Sequence, residues 1–282
     1  MMWITLLLAL IAVAALGAFI WRAGLNWRSE TASLRRQLLS AATPAGLYDP
    51  AMLAPLPAPV RRYLELALSP GQPLVKAAEL THSGSFNMGQ DQPNWKPFSS
   101  SQLSVTSRPG FDWDARIRMA PGLPVFVRDA YVSGRGILTA SIFGLIPVAQ
   151  PESDDELAQG ELMRFLAESP WYPTALLPGQ GVSWQELSPS SARATLRDGA
   201  VSTSVDFHFG PDGLIERIYS PSRTRLNGKT RSQLPWQGRF WNYTSSHGMR
   251  IPFAGEVAWL TPAGPAPYWR ASLEKAVFTF AR

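Results

Sequence analysis

Asp206 and His208 come nearest, among all residues of the chain, to a spacing that does acid–base chemistry. They stand two apart in an alternating segment, so on a strand they share one face. A carboxylate beside an imidazole orients the ring and readies it as a base, but the reaction also needs a nucleophile or a metal-bound water. No nucleophile is evident beside this pair. His82 and His247 lie far from it and from each other, so the three histidines show no metal-ligand spacing. Ser83-Gly84-Ser85 next to His82 is too weak a pattern to carry a hydrolase. The chain has no Cys, which excludes disulfides, thiolate catalysis and Cys-ligated zinc. It has no G-x-S-x-G elbow, P-loop or H-E-x-x-H. Residues 152–168 carry six acids against one Arg, and Asp154-Asp155-Glu156 reads as first-turn helix chemistry rather than a divalent-cation site. No catalytic, metal or cofactor site is therefore expected.

Apolar recognition is the chemistry that remains. Eleven Trp are many for 282 residues, and each brings a large apolar area with one N–H that needs a partner. Phe111, Trp113, Trp171, Tyr172, Trp241, Trp259 and Trp269 are the candidates to line an apolar ligand site. The competing reading is that they fill an ordinary dry core.

The elements that must position these residues are mostly strands. Phe111, Trp113, Ala115, Ile117 and Met119 alternate with Asp112, Asp114, Arg116 and Arg118, which predicts a strand with one apolar face and one solvated, charged face. Ala192–Leu196 and Val201–Phe209 alternate likewise around Asp198-Gly199, a two-residue hairpin signal. Asn227-Gly228 is a second such signal, with Arg223, Arg225, Lys229 and Arg231 around it. That basic tip reads as a solvated loop, or as a contact for lipid head groups or phosphates. Thr261–Pro267 reads as a Pro-rich loop, and a slip of period near Lys275 predicts a bulge.

One amphipathic helix interrupts the strands. Ser153 is the candidate N-cap, with Glu156 completing a capping box. Ala158, Leu162, Phe165 and Leu166 form its apolar face, Glu168 follows Arg164 by four, and Ser169-Pro170 ends it. Trp171–Pro178 then runs apolar without alternation and reads as a cover laid across a hydrophobic opening. A shorter helix over Pro59–Leu68 has Val60, Tyr63, Leu64, Ala67 and Leu68 on one face, as a helix packed on the edge of the strand region would.

Trp3–Ile20 is eighteen residues without a charge and holds ten Leu, Ile, Val or Phe. As a helix it spans about 27 Å, close to the hydrocarbon thickness of a bilayer. Trp3 and Trp21 bracket it as interfacial anchors do. A cleavable signal peptide is the rival, since Ala12-Val13-Ala14 resembles a cleavage site, but the first residues supply no basic side chain. Arg22, Arg28, Arg35 and Arg36 all follow the segment. They predict a single pass through the inner membrane with the body on the cytoplasmic side, a periplasmic body being the alternative. Ser29–Ala42 continues the helix or lies near the surface, and Thr43–Pro59 carries five prolines and reads as an extended connector.

Longer motifs resemble an uncharacterised bacterial membrane-anchored family over about Leu56–Arg282. They are LPAPVRRYL (Leu56–Leu64), PGFDWDAR (Pro109–Arg116), Asp129-Ala130-Tyr131 with Gly134 and Gly136, GELMRFLAESPWYPTALLP (Gly160–Pro178) and PYWR (Pro267–Arg270). That resemblance implies no activity, so it lends no site residue. The predicted architecture also resembles lipoprotein-carrier proteins, an analogy of fold alone.

The expectation is a mainly β (α+β) body, a curved antiparallel sheet or half-open barrel of about ten strands with a covering helix. Residues 1–28 form the membrane helix and flank, 29–58 a helix and connector, and 59–282 the β-rich domain. The function expected is non-enzymatic binding of a lipid or other apolar ligand, with the bilayer as partner through Trp3–Ile20 and no nucleic acid. The alternatives are a hydrolase assembled from distant residues, starting from Asp206 and His208, or an envelope scaffold.

Overall fold

A computed structural model of the chain describes residues 2–40, 46–89, 92–227 and 230–281. The strands form one antiparallel sheet of thirteen, curled into a half-barrel. The order is β6-β5-β4-β3-β2-β1-β13-β12-β11-β10-β9-β8-β7. Two meanders therefore run outward from a seam. One is β1 (Val75–Asn87), β2 (Trp95–Val105), β3 (Gly110–Ala120), β4 (Leu123–Val132), β5 (Arg135–Ile142) and β6 (Ile146–Ala149). The other is β7 (Val182–Ser188), β8 (Ser191–Asp198), β9 (Val201–Phe209), β10 (Ile215–Asn227), β11 (Thr230–Ser246), β12 (Met249–Thr261) and β13 (Gly264–Phe280). Pairing of β1 with β13 forms the seam.

The expected mainly β class holds, with thirteen strands in place of about ten. The expected Pro-rich loop at Thr261–Pro267 is instead a tight turn between long strands, with Thr261 opposite Gly264 and Pro265 opposite Leu260. A register shift at Val257/Ala258, opposite Pro267, lets a residue without an N–H sit in the ladder. Pro221 lies likewise at a shift between Ser220 and Arg223. The slip near Lys275 is a bulge: Thr81 faces Lys275, His82 faces Leu273, and Glu274 is skipped. Gly228 and Lys229 of the basic hairpin, and the start of the Pro-rich connector at 43–45, lie outside the described residues.

The helix α3 (Asp155–Ala167) crosses the concave face between the two arms of the sheet, packed mainly on β5 and β9. Its N-cap is Asp154, whose Oδ1 accepts from Leu157 N at 2.9 Å, rather than Ser153. An ionised carboxylate is the stronger acceptor at the positive end of the helix. Gly136 on β5 admits the start of α3: a Cβ there would sit 2.7 Å from the Leu157 carbonyl. Leu162, Phe165 and Leu166 are buried, each contributing about 1.5–3 kcal/mol to burial. Two 3-10 turns, Ser169–Trp171 and Pro173–Leu176, follow, and their side chains are buried. The predicted cover is thus part of the core. At one end of the half-barrel α2 (Ala58–Ala67) inserts Val60, Tyr63 and Leu64 beside β8 and β12.

One continuous helix, α1 (Met2–Leu39), precedes the body. It is the one described helix long and apolar enough to cross a membrane, and its most apolar stretch is not buried against the body. Its second half docks on the outer face of β2, β3 and β4 through Ala23, Trp27, Thr31 and Leu38. The charged face of β3 is therefore covered at Asp112, Asp114 and Arg116, contrary to expectation, and exposed at Arg118. Asp112 is fully buried and receives Arg35 Nε at 2.8 Å. Asp114 accepts from Trp27 Nε1 at 2.8 Å, and Arg128 donates to Thr31 Oγ1 and to the Trp27 carbonyl at 2.9 Å each. The guanidiniums of Arg116 and Arg128 stand 5.6 and 4.3 Å from the centre of the Trp27 ring.

Candidate functional site

A chamber of about 110 Å³ lies between α3 and strands β10–β13, beside a cleft of about 650 Å³. Phe86, Asp129, Arg223 and Tyr268 line both, so the two spaces adjoin. The chamber walls are aromatic because inward positions of β3, β11 and β13 carry Trp113, Trp236, Phe240 and Trp269. Trp171 enters from the turn after α3. Its Nε1 donates to the Pro252 carbonyl at 3.1 Å, and its ring meets Phe240 edge-on at 5.5 Å. Gly238 and Gly255 keep the chamber open where side chains would fill it.

Charges form the floor. Arg164 Nη1 donates to Asp129 Oδ2 at 2.6 Å, and its Nε to Glu168 Oε1 at 2.8 Å. Glu168 also accepts from Gln102 Nε2 at 2.6 Å. The Arg164 guanidinium stands about 5 Å from the ring centres of Phe111 and Trp113, a cation–π seat. Arg223 lies 4.7 Å over Trp236 and donates to the Gly160 carbonyl at 3.3 Å. Glu161, on the buried face of α3, joins this group and lines the cleft.

Three carboxyls, Asp129, Glu161 and Glu168, thus meet two guanidiniums, Arg164 and Arg223. Burial without a matching cation disfavours one of the negative charges. Desolvation, with the charge of Asp129, pushes Glu161 up to about 8. Desolvation raises Asp129 as well, against the pull of Arg164. At neutral pH Glu161 holds a proton and the floor is electrically balanced. Glu161 Oε2 and Asp129 Oδ1 are buried and have no hydrogen-bond partner among the described residues, and neither has Trp113 Nε1. A polar group entering the cleft would find acceptors or donors waiting there.

The seven aromatic candidates separate into four places. Trp113, Trp171 and Trp269 line the chamber, and Trp259 lines the outer cleft, stacked on Tyr268 at 5.7 Å. Phe111 and Tyr172 are fully buried core side chains. Trp241 is 42% exposed on the other side of β11 and touches neither space, because it is one pleat out of phase with Phe240. Asp206 and His208 stand near each other but each bonds a different arginine. Arg193 takes Asp206 bidentately, at 2.6 and 2.9 Å, while His208 Nε2 lies 3.2 Å from an Arg217 nitrogen. His82 is buried between Trp171 and Trp269, and desolvation with the nearby Arg164 holds it neutral, its pKa down at about 3. Ser83 bonds Glu274, on the opposite face of β1 from His82.

Sequence reading missed Glu161, Asp129 and Arg223 as site residues. A signal existed for the first: Glu161 sits at helical spacing among Ala158, Leu162 and Phe165, a carboxyl on an apolar stripe.

Two solved structures are similar in outline. A LolA superfamily protein from Nitrosomonas europaea aligns at 9% identity over 78% of this chain and 92% of its own, with a TM-score of 0.42. A beta-barrel-like protein of domain family DUF1849 from Brucella abortus aligns at 9% identity over 73% and 99%, with a TM-score of 0.23. No curated protein matches the sequence. Residues 54–278, which span the half-barrel and α3, match the family of unknown function DUF6920, and the chain belongs to that family.

Proposed function

We propose that the half-barrel is a membrane-tethered, non-enzymatic binding domain for a lipid or another apolar ligand with a polar end. The observation that carries this reading is the aromatic chamber beside a large cleft, with unpartnered polar atoms on the wall they share. Apolar walls with a few convergent polar groups are the usual form of a small-molecule site. The chain portion of the ligand lies against Trp113, Trp171 and Trp269, and its polar end meets Asp129 and Glu161. The apolar first half of α1 supplies the tether.

Energy transfer from the chamber tryptophans to a dansyl group on a lipid acyl chain tests this in the full-length protein in detergent. Transfer should saturate with probe concentration. Gly238→Val should abolish it without loss of fold, because a Cβ at Gly238 meets its nearest neighbours, the side-chain carbons of Ile218, at 3.4 Å and Gly238 lines the chamber. Transfer that never saturates, or that is identical in Gly238→Val, removes the proposal.

A further inference from the structure

The antiparallel register places the cleft mouth at the end of the sheet from which α1 departs. Along α1, Leu38 lies against Gly110, Arg35 on Asp112, and Trp27 on Asp114. The helix therefore runs opposite to β3, and its apolar half projects past the β3–β4 turn at Gly122. A Cβ on Gly144, in the β5–β6 turn, would sit 3.6 Å from the Ala23 carbonyl. Ala23 is three residues from Ile20, the end of the uncharged run, or about 4.5 Å along a helix. The β5–β6 turn is thus level with the edge of the apolar span.

The neighbouring turns lie at the same end. Phe98 pairs with Ile117 and Asn87 with Trp95, so the β1–β2 turn stands beside the β3–β4 turn. Phe86 pairs with Trp269, and Asn87 Nδ2 donates to the Pro267 carbonyl at 3.4 Å, which brings in the β12–β13 turn. Met88, Gly89, Thr261 and Ala263 from two of these turns line the cleft. The same end exposes apolar side chains: Met88, Leu123, Leu145 and, at 59%, Ile146. Arg118 is exposed among them, and Arg22 stands on α1 at the same level. Apolar tips flanked by arginines suit a bilayer surface carrying anionic lipid.

We infer that the turns around the cleft mouth rest in the head-group layer of the membrane that α1 crosses, so that the cleft opens onto the leaflet and not into water. The inference rests on α1 crossing the bilayer and is independent of what the chamber binds. The absence of Cys makes the test direct. Ile146→Cys, Ala263→Cys and Arg135→Cys, each in the full-length chain, are labelled with an environment-sensitive fluorophore. The proteins are reconstituted in phosphatidylcholine–phosphatidylglycerol vesicles containing nitroxide-labelled lipid. Ile146 and Ala263 lie at the mouth end, and Arg135 begins β5 at the opposite end. The expected result is severalfold stronger quenching at positions 146 and 263 than at 135. Equal quenching at all three in protein that floats with the vesicles overturns the inference while leaving the binding proposal intact. Failure to float overturns both the inference and the tether. Quenching at the mouth together with no saturable dansyl transfer leaves the inference standing and removes the ligand.

Discussion

Arg164 and Asp129 join α3 to β4 by a 2.6 Å charge-assisted hydrogen bond beneath the aromatic chamber. Both side chains are largely withdrawn from water, so the pair is held by geometry and by the second acceptor, Glu168. Removing one member of such a pair leaves an uncompensated buried charge, which costs about 3–5 kcal/mol. Arg164→Met should therefore lower stability by that order, read as a fall in the urea midpoint of the full chain in detergent by near-ultraviolet circular dichroism. Since Asp129 and Glu168 become the unpaired groups, adding Asp129→Asn to Arg164→Met should restore part of the loss.

Glu161 gives the stability a direction with pH. Folded, it keeps its proton up to about pH 8, whereas an ordinary glutamate ionises near 4.5. Between those values the folded chain binds one more proton than the unfolded chain, so stability falls as pH rises, at most by about 1.4 kcal/mol per unit. His82 acts oppositely. It stays neutral in the fold down to about 3 but protonates near 6.5 when unfolded, so it adds stability as pH rises across that range. The two slopes oppose between about 4.5 and 6.5, and from there to about 8 the slope from Glu161 remains. The groups facing Glu161 are Asp129, Glu168, Arg164 and Arg223. Glu161→Gln should flatten the fall between pH 6.5 and 8 measured in urea titrations. Parallel wild-type and variant curves would show that the carboxyl is ionised throughout.

Strand β3 shows what one sequence can and cannot disclose. Its alternation reveals a strand and an apolar face, and both are correct. Alternation is silent about what lies on the other face, and there Asp112 and Asp114 are covered by α1. The partner's pattern was present: Trp27, Thr31 and Arg35 stand at i, i+4 and i+8, one stripe of donors on a helix. The chamber was less legible. Which tryptophans face it depends on pleat phase in β11, where Phe240 points in and Trp241 out, and a half-barrel exposes neither face cleanly enough for polarity to decide. The floor was hidden because Asp129, Glu161 and Arg223 come from three elements that only the long pairing through the β1–β13 seam brings together.

Trp27 should govern whether the body sits rigidly on its membrane helix. Its ring lies edge-on to Phe126 at 5.5 Å and near two guanidiniums, and its N–H serves Asp114. Truncating a buried Trp to Ala typically costs about 3–5 kcal/mol. Only half of α1 packs on the sheet, so that loss should fall on docking rather than on the half-barrel. In Trp27→Ala, amide exchange should accelerate across residues 23–38 and stay protected in β1 and β13. Uniform acceleration in helix and sheet would mean that α1 and the half-barrel unfold as one unit.

Arg231 fastens the cleft. It lies on β11 just past the hairpin tip and reaches over the cleft to the start of α3, bonding Asp154 and, at 2.8 Å, Glu156. The clasp faces solvent, so it adds little to global stability and weakens in salt. Its effect should appear in kinetics. Release of the dansyl-lipid probe, followed by stopped flow, should be faster in Arg231→Ala than in wild type. Raising the salt should speed release from wild type and leave Arg231→Ala unchanged, because the variant has no clasp to screen. Arg231→Lys, which keeps the charge but loses the fork that spans both carboxylates, should fall between them. Equal release rates in all three proteins would mean that the ligand leaves by a path that does not pass between β11 and α3.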